Sequence, residues 1–223
     1  MIVTIDGPAA SGKSTAARLL ARKLGYGHLD TGAMYRAVTL AGLRRGIDLA
    51  DEAALARVAA EARIDLEPTA EGTVVRLDGQ DVSEAIRENL VSRQSRHAAR
   101  NEQVRACLVE AQRRIGRRWG DLVTEGRDQG SVVFPQAEVK VYLDASEEVR
   151  AARRQKELAA RGQAPPLEQI CEELRRRDES DRSRAVGPLR IPEGAVVVDT
   201  SGMTIEQVVS HLVSMVRRSG GGC

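Results

Sequence analysis

The chain has 223 residues, 42% of them apolar, enough for one domain with a sizeable core. Aromatic residues make up 2% and the net charge is +2. This argues against base-stacking platforms and against the basic excess of a protein that coats nucleic acid. Cys107, Cys171 and Cys223 lie far apart, with no metal-ligand spacing and no disulfide framework, so a reducing cytoplasm is expected. No signal peptide is expected ahead of the first strand, and no apolar run is long enough to span a bilayer.

Residues 1–6 read as a short buried strand. Gly7-Pro8-Ala9-Ala10-Ser11-Gly12-Lys13-Ser14 follows and fits the phosphate-loop pattern. Glycine lets the backbone turn tightly and set its N–H groups against phosphate oxygens. The helix from Ser14 to Leu24 turns its positive dipole end to the same place. Lys13 is expected to reach the β- and γ-phosphates, and the Ser14 hydroxyl to ligate magnesium. A second strand ends at Asp30, and a helix runs from Ala33 to Arg45 before Gly46. A further helix covers residues 51–62, with Asp51 and Glu52 suited to its N-terminus.

Residues 64–82 change character: alternating residues and an Asp78-Gly79 turn predict a small antiparallel sheet inserted among helices. Helix resumes over 83–116 with a break near Asn101. The strand 121–124 ends in Glu125-Gly126-Arg127-Asp128, and another, 138–143, ends at Asp144. Two charged helices cover 146–161 and 166–183, joined by a connection expected to be mobile. A strand at 195–198 and a helix at 204–217 finish the core, and the tail 219–223 is expected to be disordered. The alternation predicts an α/β fold, a doubly wound parallel sheet with ligands at the strands' carboxyl ends.

A phosphate loop alone does not name the acceptor. A switch GTPase needs a guanine-specifying Asn-Lys-x-Asp segment, which is missing, and the length suits a small phosphotransferase. Bringing two anionic phosphates together needs converging cations. Arg36 near a helix start, Arg105 within a helix, Arg127 at a strand end, and Arg177 and Arg184 flanking Asp181 answer that need.

Three segments carry a family resemblance. Asp30-Thr31-Gly32-Ala33-Met34-Tyr35-Arg36, Glu125-Gly126-Arg127-Asp128-Gln129-Gly130-Ser131-Val132-Val133-Phe134-Pro135, and Arg177 through Leu189 resemble signatures of bacterial cytidylate kinases. With the phosphate loop, the likeness runs from residue 1 to about 217. It implies a nucleoside monophosphate kinase that passes phosphate from ATP to CMP or dCMP with magnesium. The parts it implies are core 1–35, monophosphate lobe 36–104 with the inserted sheet, core 105–150, helical lid 151–184 and core 185–218. Lys13, Arg127 and Arg177 would be catalytic. ATP would be held by Gly7 through Thr15 (Gly7, Pro8, Ala9, Ala10, Ser11, Gly12, Lys13, Ser14, Thr15), with Arg153 or Arg154 from the lid.

CMP would be held by Thr31, Tyr35, Arg36, Ser95, Arg105, Arg127, Asp128, Arg177, Asp181 and Arg184. Asp128 and Arg105 would recognise cytosine, since a carboxylate accepts from its exocyclic amine, which uracil lacks. The family's usual serine before Arg105 falls at Arg96 by counting back, with Ser95 adjacent. Thr31 replaces a frequent serine and keeps the hydroxyl. No nucleic acid or membrane partner is expected, and the resemblance suggests a monomer. A kinase of a small metabolite such as a shikimate-type acid, a kinase of UMP or dTMP, and a non-enzymatic nucleotide binder stay open as alternatives.

Overall fold

The computed structural model describes residues 1–69, 72–160 and 162–220. Strand β1 (Ile2–Asp6) runs into the phosphate loop, and helix α1 (Lys13–Leu24) begins at Lys13 after Gly12 in left-handed backbone. β2 (Gly27–Asp30) leads directly into α2 (Thr31–Arg44), because the Asp30 side chain caps the helix through the Ala33 N–H at 2.9 Å. α3 (Glu52–Glu61) is capped in the same way by Asp51. The antiparallel insert follows as β3 (Ile64–Pro68), β4 (Thr73–Leu77) and β5 (Gln80–Asp81). Asp78 at φ 51 and Gly79 at φ 84 make the two-residue turn that pairs Leu77 with Gln80.

The helix expected over 83–116 is corrected at its start. Residues 83–88 form a turn and a short 3₁₀ segment, and α4 (Asn89–Arg100) begins only at Asn89. The break at Asn101 is a helix cap: its side chain accepts from the N–H groups of Gln103 and Val104 and starts α5 (Glu102–Trp119). β6 (Leu122–Gly126) carries the Gly-Arg-Asp segment at its end, followed by one wide π-type turn, Gln129–Val133. Asp6 makes that turn, accepting the N–H groups of Gln129 and Gly130 at 2.8 Å each. β7 (Val139–Asp144), α6 (Glu147–Ala159), α7 (Leu167–Arg182), β8 (Val196–Asp199) and α8 (Ile205–Gly220) complete the order. Ser219 and Gly220 continue α8, against the expected tail, and Ser219 bonds back to the Met215 carbonyl at 3.3 Å. The rest of that expected tail, 221–223, lies outside the described residues.

The core sheet is five-stranded and parallel, in the order β2-β6-β1-β7-β8, and the insert forms a three-stranded sheet β3-β4-β5. Val3 and Ile5 on one face of β1 pack with Leu20 of α1 and Leu212 of α8. The opposite cluster joins Leu29 and Leu122 to α2, α3, α5 and the insert, where Met34, Leu66 and Ile86 are fully buried. Burying aliphatic side chains on both faces leaves the strands' carboxyl ends as the open edge. A third, small cluster seats α6 and α7 on the phosphate loop through Ala9, Ala151, Leu158, Ile170 and Leu174. Among the described residues no helix is long and apolar enough to cross a membrane.

Candidate active site

A cleft of about 720 Å³ opens at the carboxyl edge of the sheet. Its phosphate end is the loop between β1 and α1. Lys13 is 5% exposed, and its ammonium donates to the Pro8 carbonyl at 2.5 Å and the Ser11 hydroxyl at 3.3 Å. Burial, with the nearby Arg127 cation, pushes the Lys13 pKa down to about 7. A phosphate anion would restore its charge, so the pocket is set for an anionic ligand. The Ser14 hydroxyl donates to the Glu125 carboxylate at 2.6 Å. Gly7 stands behind the loop: at φ 150, a β-carbon there would fall 2.0 Å from the Leu143 carbonyl oxygen.

The other end is built from side chains on α2, α5, β6 and α7. Arg105 is 1% exposed and forms an ion pair with Asp128, 4% exposed. The same guanidinium donates to the Tyr35 hydroxyl at 3.1 Å and lies 5.7 Å from the Tyr35 ring centroid. Gly187 closes over this pair; a β-carbon there would meet the Arg105 Nη2 at 2.0 Å and the Asp128 Oδ2 at 2.2 Å. Arg127 donates through Nε to Asp181 Oδ2 at 2.7 Å. Burial opposes the Asp181 charge, but Arg127, Arg184 and Arg177 outweigh it and hold the carboxyl below its usual range. The same carboxylate holds Arg127 above the ordinary arginine range despite burial. Arg184 stands 3.5 Å from the other Asp181 oxygen, and Arg36 pairs with Asp30 at 3.0 Å.

Most of the expected residues line this one cleft. Ala9 through Thr15, Thr31, Tyr35, Arg36, Ser95, Arg105, Arg127, Asp128, Arg177, Asp181 and Arg184 all border it, as do Arg153 and Arg154. Gly7 and Pro8 do not border it; they shape the loop from behind, as the Leu143 and Lys13 contacts require. Ser95 faces the cleft, whereas Arg96 is exposed beside His97, 3.4 Å away. Helical spacing accounts for this, because adjacent positions point about a quarter-turn apart. Arg153 reaches the phosphate loop itself: it donates to the Ser11 carbonyl at 3.1 Å and to the Thr200 carbonyl at 2.8 Å. Arg154 pairs with Glu157 at 2.8 Å. Arg177 projects into the cleft with no hydrogen bond or ion pair among the described residues.

Glu125, which borders the cleft and accepts from Ser14, and Asp6, which holds the turn after Asp128, were not among the expected site residues. Glu125 ends a buried strand beside the Gly-Arg-Asp segment, a signal open to reading; Asp6 precedes the loop and gives no such signal. The apolar lining at Met203, Ile205 and Val208 comes from the last turn and helix, and no local pattern marks it.

The family model described as Cytidylate kinase matches residues 3–218. A cytidylate kinase of Pelotomaculum thermopropionicum is 49% identical over 215 residues, covering 96% of this chain and 95% of that protein. A cytidylate kinase of Mycobacterium avium is 47% identical and covers 98% of this chain and 96% of its own length. Among solved structures, a gluconokinase from Sinorhizobium meliloti aligns with TM-score 0.50 at 15% identity, covering 98% of this chain and 93% of that one. At that identity the likeness speaks to the fold alone. With a family model across nearly the whole chain and relatives near half identical, this chain belongs to the cytidylate kinase family.

Proposed function

We propose that the chain moves the γ-phosphoryl group of ATP onto the phosphate of CMP or dCMP, giving ADP and CDP or dCDP. One observation supports this most: the phosphate loop and the buried Arg105–Asp128 pair border the same cleft. The inserted sheet with α4 serves as the monophosphate lobe, and α6 with α7 as the lid.

Asp128 keeps acceptor capacity beyond its bond to Arg105 and takes the exocyclic amine of cytosine. Arg105 and Ser95 complete the base contacts, Tyr35 packs beside them, and Thr31 borders the nucleotide. Asp181, with Arg184, takes the sugar. Arg36, Arg127 and Arg177 gather the acceptor phosphate, and Arg127, Arg177 and Lys13 spread the charge of the transferring group. The acceptor is already an anionic oxygen, so transfer is in line and needs no general base. Positioning and charge neutralisation carry the rate.

The Ser14 hydroxyl and the Glu125 carboxylate, 2.6 Å apart, are a hard oxygen donor set of the kind magnesium takes. Bound with ATP, magnesium would neutralise phosphate charge; Ser14 and Glu125 are the residues that would hold it. Among the described residues no group of three or more His, Cys, Asp or Glu side chains forms a metal cage, which suits an ion shared with a nucleotide.

A coupled ADP-release assay with ATP and magnesium, offering CMP, dCMP, UMP, AMP, dTMP and shikimate, tests the reading. Strong turnover with CMP and dCMP and weak turnover with UMP is expected. Equal rates with UMP would discard the Asp128 account of base choice. Turnover with shikimate and no monophosphate would discard the reading altogether.

A further inference from the structure

The phosphate loop is gripped from behind by the two helices that follow β7. Arg150 on α6 donates through Nε to the Ala145 carbonyl at 3.1 Å and through Nη1 to the Ala9 carbonyl at 3.1 Å. The same Nη1 lies 2.5 Å from Asp178 Oδ2 on α7. The other Asp178 oxygen accepts the Ala9 N–H at 2.9 Å. One ion pair therefore holds both polar groups of Ala9. Its side chains are 9% and 3% exposed, so it is shielded from solvent. One helical turn along α6, Arg153 holds the Ser11 carbonyl in the same manner at 3.1 Å.

In a trans peptide the C=O and the next N–H point opposite ways. Holding the Ala9 and Ser11 carbonyls toward α6 turns the Ala10 and Gly12 N–H groups away from it. Both residues border the cleft, and both have positive φ, 59 at Ala10 and 93 at Gly12. A left-handed alanine is costly and persists only where its surroundings hold it. Among the described residues neither N–H has a protein partner, so both are free to meet an anion.

We propose that the Arg150–Asp178 pair is a positioning device for phosphoryl transfer. It sets the peptide planes of the phosphate loop and ties them to the helix that carries Arg177, the residue next to Asp178. The inference rests on the reading of this loop as the ATP site. A pair that only filled space would be replaceable by apolar side chains at no cost to nucleotide binding.

The test compares the parent with Arg150→Lys and with the double variant Arg150→Met/Asp178→Leu. Thermal midpoints, calorimetric affinities for MgADP and for CMP, and kcat are measured on each. Removing both partners together leaves no uncompensated buried charge, so the double variant is expected to fold, with a lower thermal midpoint because the Ala9 N–H and the Ala9 and Ala145 carbonyls lose their partners. It should bind MgADP about tenfold more weakly, about 1.4 kcal/mol, with kcat falling by a similar factor. Its CMP affinity should stay within about twofold. Arg150→Lys keeps the charge but lacks the planar fork that reaches three oxygens, so it should show the same pattern. A folded variant with parental MgADP affinity and kcat overturns the proposal. Equal weakening of CMP and MgADP also overturns it, as does loss of folding in Arg150→Lys, which would leave the pair a stability element alone. If the parent itself bound no MgADP, the nucleotide reading would fall first and this inference with it.

Discussion

The two ends of the cleft are built by different means. The phosphate end is one unbroken loop, and it presents backbone N–H groups with one lysine. The acceptor end is assembled from side chains far apart in sequence, and most are already paired: Arg36 with Asp30, Arg105 with Asp128, Arg127 with Asp181. Backbone donors need only the right peptide conformation, which neighbouring elements hold. Buried guanidinium groups repel one another and are costly to desolvate, so each needs a carboxylate. In the proposed function the lone pairs those carboxylates keep beyond their arginine partners serve recognition. In the proposed function, pre-paired cations set specificity at the acceptor end, while unpaired N–H groups and Lys13 supply anion affinity at the other.

The largest test of this contrast removes a cation proposed to serve transfer. Lys13→Ala or Arg127→Ala should lower turnover by roughly 10³-fold or more, by analogy with arginine fingers, with circular dichroism unchanged. Unchanged turnover in a folded variant would take that residue out of the transfer step. Next comes the pairing itself. Asp128→Ala leaves Arg105 buried without its counter-charge and should cost about 3–5 kcal/mol in denaturant unfolding. The same change should erase the preference for CMP over UMP. A stable variant with the preference intact would break the pairing account.

Asp6 ties the two ends together, ending β1 ahead of the loop while holding the turn after Arg127 and Asp128. Burial raises its pKa from 3.8 to about 6, with the Gln129 and Gly130 N–H groups opposing the rise. The folded state thus binds more protons than the unfolded state between those values. The stability that protonated Asp6 contributes is full below pH 3.8 and is lost as pH rises through about 6. That loss is on the order of 3 kcal/mol. Asp6→Asn lacks the titration, so the stability gap between variant and parent should shrink across this window. A gap constant with pH would show that Asp6 does not titrate there. The smallest effect is expected away from both ends. Arg45 and Glu61 pair at 2.5 Å with side chains 37% and 63% exposed, and Arg45→Ala should change stability by less than about 1 kcal/mol and leave turnover alone.

The phosphate end was legible because strand, loop and helix are contiguous, and local sequence fixes glycine turns and helix starts. The segments at Asp30 and at Glu125 were legible for a related reason: Asp30 caps its own helix, and Arg127-Asp128 directly follow their own strand. The turn at Gln129–Val133 was not, because the Asp6 carboxylate that bends it is held by residues 123 and 124 positions away. The start of α4 was misplaced because residues 83–88 keep helix-forming composition while the chain must first leave the insert: Val82 pairs back to β4 and Ser83 accepts from Val75.

By itself the sequence determined the element order, the identity of the phosphate loop and which charged residues were candidates for the cleft. Period, turn chemistry and capping act within a few residues of where they are written. Only the tertiary structure decided the partners. It set Arg105 against Asp128 and Arg127 against Asp181, turned Ser95 rather than Arg96 to the cleft, and placed Arg150 and Asp178 behind the loop. The strength of a charge pair depends on distance and on exclusion of water, and both are fixed only when distant elements pack together.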